Sequence, residues 1–164
     1  MEFSGSTLCT VLIRGRTLYA ANVGDSRALL ISEDQKVLQL TIDQLPDDPV
    51  EMRRIQKAGG RVQPILNQIN GKFTGPNRMF LATEDIPGLV VSRTIGDYKA
   101  HQAGIISQPE IFEINVHPED QTLVIGSEAV FQYLSNEDIA KIVEEFYEAN
   151  SAEKAANSIV ARAT

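Results

Sequence analysis

Asn22-Val23-Gly24-Asp25-Ser26-Arg27-Ala28 joins two runs rich in β-formers, Thr17–Val23 before it and Ala28–Ser32 after it. Gly24 supplies the backbone angles that a sharp bend needs, and Asp25 can hydrogen-bond the turn backbone. An Asp at a strand end can equally ligate a hard cation such as Mg²⁺ or Mn²⁺. At this point both roles for Asp25 stay open.

Reading outward from that turn, the first forty residues are β. Thr7–Ile13 is apolar, Arg14-Gly15-Arg16 signals a turn, and Thr17–Val23 places Leu18, Ala20 and Asn22 on one face. Ala28–Ser32 and Val37–Leu40 predict a hairpin around Glu33-Asp34-Gln35. Short turns cannot join parallel strands, so an antiparallel meander is the simplest arrangement. A helix should start at Pro49, capped by Asp47 or Asp48, with Glu51 complementing its dipole and Gly59-Gly60 stopping it. The stretch Gln63–Asp85, rich in Asn, Gln, Gly and Pro, reads as a long loop or flap with one short strand. Pro87–Ser92 leads into a second Gly-Asp turn at Gly96-Asp97, and Ile111–Val116 and Thr122–Ile125 are further strands. Ser135 with Asp138 gives a capping-box arrangement, followed by Ile139, Ile142, Val143 and Phe146 at helical spacing. Ser151 caps a second helix whose face carries Ala152, Ala155, Ala156, Ile159 and Val160. No repeat, linker or low-complexity segment interrupts the chain, so residues 1–164 read as one domain.

At 164 residues with 43% hydrophobic and 23% charged residues, the composition is that of a globular protein with a core. No apolar run spans a bilayer, so no membrane role is expected. The net charge of -7 repels phosphate backbones and argues against nucleic-acid binding. It also suits a cation site, although solubility alone accounts for it. Cys9 cannot form an internal disulfide and reads as a buried, reduced core residue, from which an intracellular, cytoplasmic location is expected. Ser92 has no local His or Lys to activate it as a nucleophile, and His101 and His117 sit in polar surroundings that point to the surface.

The pieces in order are more specific than any one of them. Gly5-Ser6-Thr7, then Asn22 through Ala28, then Leu40-Thr41 with Asp43 and Pro46, then Glu51, Arg54-Ile55 and Gly59-Gly60, then Leu89 through Asp97, then Pro109-Glu110, and finally Leu134 through Glu137 together resemble the type 2C, metal-dependent protein serine/threonine phosphatase family, over the C-terminal portion of its domain. The resemblance implies an α+β fold, an antiparallel β-sandwich flanked by helices, of which this chain carries an incomplete part. It implies a family reaction in which Mg²⁺ or Mn²⁺ ions activate a water that hydrolyses phosphoserine or phosphothreonine in proteins. Gly24, Asp43, Ser92, Arg93, Gly96 and Asp97 occupy family-motif positions, with Asp43 and Asp97 read as mainly structural; Gln44 departs from the family's His.

The carboxylates do not carry over. The family's leading ligands lie in an Asp-Gly-His-Gly segment upstream of the Gly-Ser-Thr strand, and this chain contains no Asp-Gly and no Asp-Asn. The family's Ser-Asp-Gly-x-Trp-Asp aligns with Ser127-Glu128-Ala129-Val130-Phe131-Gln132. Glu128 is a methylene longer than Asp, which displaces its oxygens by about an ångström in a site where Mg²⁺ demands strict octahedral geometry. The resemblance therefore leaves Asp25, at a peripheral metal position, and Glu128, a degraded ligand, as metal candidates, and no catalytic residue. The expectation is a chain inactive on its own that binds no Mg or Mn. It is part of a larger phosphatase domain or a pseudophosphatase that binds a phosphoprotein or a regulatory protein. Dimerisation through uncovered sheet edges is expected as well.

Overall fold

A computed structural model describes residues 2–163, which form two compact units, one of them comprising the segments up to Leu8, Val23–Asp25 and Asp43–Pro109, the other Cys9–Asn22, Ser26–Ile42 and the chain from Glu110.

In the first unit, β1 (Gly5–Ser6) pairs antiparallel with β9 (Ile95–Gly96). Helix α1 (Pro49–Lys57) begins as its sequence dictates: the Asp48 carboxylate accepts from Val50 N at 2.8 Å and Glu51 N at 3.2 Å, and Pro49 takes the first helical position. Gly59, with φ +89°, turns the chain out of it. Three strands follow in the order β6 (Arg61–Leu66), β7 (Phe73–Phe80), β8 (Pro87–Leu89), and then the short helix α2 (Tyr98–His101). Ile55 of α1, Met79 of β7, Leu81, Ala100, Ala103 and Ile105 make the core of this unit.

The expected loop over residues 63–85 is instead mostly a β-hairpin. β6 and β7 pair from Arg61↔Phe80 to Leu66↔Phe73. A register shift between Gln63 and Ile65, together with Pro64, Gly75 and Pro76, breaks the period-2 pattern that would have shown it in the sequence.

The second unit is a sandwich. One sheet runs β10 (Glu110–Asn115), β3 (Thr17–Val23), β2 (Leu8–Arg14); the other runs β11 (Asp120–Gly126), β4 (Arg27–Ser32), β5 (Val37–Gln39). Between them lie Leu18, Ala20, Ala28, Leu30 and Leu40, with Val11, Phe112, Ile114 and Leu123 packed alongside. The other face of β4, through Leu29 and Ile31, packs on α4 (Asn136–Tyr147) and α5 (Ala152–Arg162) through Ile139, Ile142, Val143 and Ile159. The preceding helix α3 (Glu128–Tyr133) adds Val130 and Phe131 to that cluster. Ser135 closes a capping box with Asp138, as its spacing predicts. The fold is the expected α+β class, antiparallel sheets with helices. No helix among the described residues is long and apolar enough to cross a membrane.

Three details differ from expectation. The meander does not form, because β3 and β4 belong to different sheets, each paired with a strand from the C-terminal half: Phe112↔Ala20 in one and Val124↔Leu29 in the other. Helix α5 buries only Ala155 and Ile159 of the predicted face, and Val160 is exposed. Cys9 is half-buried at the margin of the inter-sheet core.

Candidate functional site

The first unit gathers most of the motif residues around two tight turns and one buried carboxylate. At the first turn, Gly24 has φ +103°, and a Cβ there would stand 2.3 Å from Thr7 Cγ2 and 3.3 Å from Arg93 O, so no other residue fits. Gln44, fully buried, grips this glycine twice. Its amide oxygen Oε1 accepts from Gly24 N at 2.7 Å, and its backbone N donates to Gly24 O at 3.0 Å. Ser92 N in turn donates to Gln44 O at 2.9 Å. Asp25, the next residue along, is buried, with a relative exposure of 6%. Asp43, beside Gln44, is half-buried.

Four donors converge on Glu51 of α1. Ser92 Oγ donates to Oε2 at 2.5 Å, Arg93 Nε to Oε2 at 3.1 Å, Arg93 Nη2 to Oε1 at 2.7 Å, and Arg54 Nη1 lies 2.8 Å from Oε2. The arginines continue into the backbone. Arg93 Nη1 reaches Gln108 O, and Arg54 reaches Gly104 O and Ser92 O. Burial by itself would raise the Glu51 carboxyl; the hydrogen bonds from Arg93, Ser92 and Arg54 outweigh it and hold the group below the ordinary carboxylate range. The carboxylate is therefore ionised at neutral pH, and Ser92 is a fully buried donor to it, with no exposure to solvent.

At the second turn, Gly96 has φ +87° and a Cβ would meet Ser4 O at 2.4 Å. Asp97 adopts the left-handed conformation, φ 49°, and its backbone N donates to Ser4 O at 2.8 Å. Its buried carboxylate occupies the space beside Gly5, where a Cβ would overlap it. Asp97 O then accepts from Ala100 N, which starts α2.

Glu128 belongs to the second unit. It is exposed in the first turn of α3, where a carboxylate complements the helix dipole. Ala129 and Gln132 of the same segment are exposed as well. Phe131 stands where the family motif has Trp. The Arg27 guanidinium lies 4.5 Å from its ring centroid and donates from Nη1 to Asn136 Oδ1 at 2.7 Å, which ties α3 to the start of α4.

Among the described residues, no group of three or more His, Cys, Asp or Glu side chains is placed to hold a metal ion. A dinuclear Mg²⁺ or Mn²⁺ centre needs several carboxylate oxygens around each ion. The side chains of the described residues, as placed here, do not fit one.

The sequence model of the family described as Protein phosphatase 2C matches residues 2–164. The chain belongs to the protein phosphatase 2C family. It is 39% identical over 166 residues to Probable protein phosphatase 2C 64 of Oryza sativa subsp. japonica, covering 98% of this chain and 37% of that protein. It is 37% identical over 146 residues to Probable protein phosphatase 2C 72 of Arabidopsis thaliana, covering 87% of this chain and 43% of that one. This phosphatase 2C-family chain thus spans well under half the length of those relatives. Its fold matches the crystal structure of serine-threonine phosphatase 2C from Toxoplasma gondii with a TM-score of 0.83 at 21% identity, covering 98% of this chain and 53% of that one. A C. elegans sex determining protein matches with a TM-score of 0.70 at 21% identity, over 94% of this chain and 36% of that one.

Two residues of this site carry roles that their sequence context does not disclose. Glu51 reads locally as a helix-dipole residue, yet its partner Arg93 is 42 positions away. Gln44 stands out only as a departure from the family's His, and that departure was the available signal.

Proposed function

We propose that this chain supplies the sandwich and recognition surfaces of a phosphatase 2C-type domain and does not by itself hydrolyse phosphoserine or phosphothreonine. The observation that carries this reading is the donor set: no cluster of three metal-binding side chains among the described residues, and an exposed Glu-Ala pair followed by Gln132 where the family motif has Asp-Gly and Asp. Catalysis in this family draws on divalent ions to activate water and to neutralise developing charge, a contribution of several kcal/mol. Ser92 and Arg93, the side chains most suggestive of phosphate chemistry, hold Glu51.

The same reading covers two settings. In a longer polypeptide, further residues could complete the metal centre. In a pseudophosphatase, the fold would serve to bind a phosphoprotein or a regulatory protein. The test is turnover of a phosphothreonine peptide by this chain at saturating Mn²⁺ and at saturating Mg²⁺. Release of phosphate no faster than with metal alone is expected. Turnover abolished by Asp25→Ala or Glu128→Ala would overturn the proposal.

A further inference from the structure

The turn of the β6–β7 hairpin keeps apolar side chains in water. Ile69, at its apex, is 98% exposed. Leu66 and Phe73 oppose each other directly in the register and so share a face, and both are exposed. Ile65, on the opposite face, is exposed too. A loose turn could fold these groups inward, but this one is fixed by its own hydrogen bonds. Asn67 Oδ1 accepts from Ile69 N at 2.9 Å and Asn70 N at 3.4 Å, and Asn70 Oδ1 accepts from Lys72 N at 3.0 Å. Asn67 N donates to Lys72 O and Gly71 N to Asn67 O, which closes the turn. Side chains of this size gain strongly from burial, and a self-contained turn that presents several of them to solvent is a mark of an interaction site.

The charge of this segment is opposite to that of the chain. Between Gly60 and Glu84 there are three cations, Arg61, Lys72 and Arg78, and no carboxylate, within a protein of net charge -7. Arg61 is engaged by Leu81 O, Glu84 O and Asp85, and Arg78 by Gly88 O. Lys72, at the turn, makes no salt bridge among the described residues. A basic partner would be drawn to the acidic remainder of the chain, and two copies of the chain repel each other at long range. Strand addition is disfavoured, because β6 is the edge of its sheet and Pro64 within it has no N–H to offer. Recognition at this place falls to side chains.

We propose that the hairpin tip, residues 65–73, is a docking prong for an acidic segment of a partner protein that carries aliphatic or aromatic side chains among its carboxylates: Ile69, Leu66 and Phe73 take the apolar groups and Lys72 the charge. The proposal holds whether or not the chain takes part in catalysis.

The test is a display selection of random twelve-residue peptides on the full chain, followed by fluorescence anisotropy of the enriched peptides against the wild type and the variants Ile69→Ser and Lys72→Glu. Both substitutions are at exposed positions and should leave the melting temperature unchanged. Supporting results are enrichment of Asp and Glu with Leu, Ile or Phe, affinity at least about tenfold weaker in Ile69→Ser and several-fold weaker in Lys72→Glu, and binding that falls as salt rises. Enrichment of basic peptides, binding that ignores both variants, no enrichment at all, or self-association of the chain that Ile69→Ser abolishes would each overturn it.

Discussion

Replacing Glu51 with Ala should cost this chain a large part of its stability. The Glu51 side chain is 4% exposed and the Arg93 side chain 10% exposed, so the substitution leaves a guanidinium buried without its counter-charge and the Ser92 hydroxyl without its acceptor. Removing one partner of a buried pair costs about 3–5 kcal/mol, against total stabilities of about 5–15 kcal/mol for ordinary domains. At roughly 2–4 °C per kcal/mol for a chain of this size, the melting temperature should fall by about 6–20 °C. Glu51→Gln should lose less, because an amide oxygen can still serve the three donors at Oε2 while its NH₂ faces Arg93 Nη2. The double variant Glu51→Leu/Arg93→Met should recover much of the loss, since it removes both charges together. The effect also has a pH signature. Because the folded-state pKa of Glu51 lies below its unfolded value, its contribution is fully present above the unfolded value of 4.5 and is lost as pH falls through the folded one. The wild type should therefore lose stability below about pH 4.5 more steeply than Glu51→Gln. The assay is thermal unfolding by circular dichroism from pH 3 to pH 7. A Glu51→Ala melting point within about 2 °C of wild type, or a double variant no better than the single one, would refute the claim that this carboxylate locks α1 to the Ser92-Arg93 segment.

Gly24→Ala should destabilise by about 2–5 kcal/mol, since the added Cβ combines a left-handed backbone with a 2.3 Å approach to Thr7 Cγ2. Gly15→Ala, at φ +62° but with no atom within 4 Å, should cost only about 1–2 kcal/mol, and denaturant titration of the pair separates strain from collision. Each three-stranded sheet of the sandwich has edge strands with one unpaired side among the described residues, so the chain should self-associate once salt screens its net charge of -7. Sedimentation velocity over a concentration series should show a rising mass, and a single monomer at every concentration would count against it.

The elements set by local chemistry are legible in the sequence. Thr17–Val23 alternates its buried residues, Asp48 and Pro49 start α1, and the Ser135–Asp138 box starts α4, because each signal lies within a few residues of the element it specifies. What the sequence hides depends on distant partners. The Gly24-Asp25 bend states that β3 ends but not that β4 joins another sheet, since Phe112 and Val124 decide that from the far half of the chain. The β6–β7 hairpin is obscured by the bulge and by Pro64, while the turn that organises it depends on the side chains of Asn67 and Asn70. At the site, the motifs identify Ser92, Arg93 and Asp97 as a set. The common acceptor of Ser92 and Arg93, Glu51, becomes visible only when α1 is laid against them. For Glu128 the motif order gives its place in the Ser127–Gln132 segment, and the structure adds that this segment forms α3 with Glu128 exposed in its first turn.

A divalent-ion titration of this chain asks whether its oxygens can assemble the family's metal centre. Isothermal calorimetry with Mn²⁺ and then Mg²⁺, on wild type and on Asp25→Ala and Glu128→Ala, should give no pair of saturable sites and traces that neither substitution alters. Two saturable sites that are lost in those variants would contradict the account.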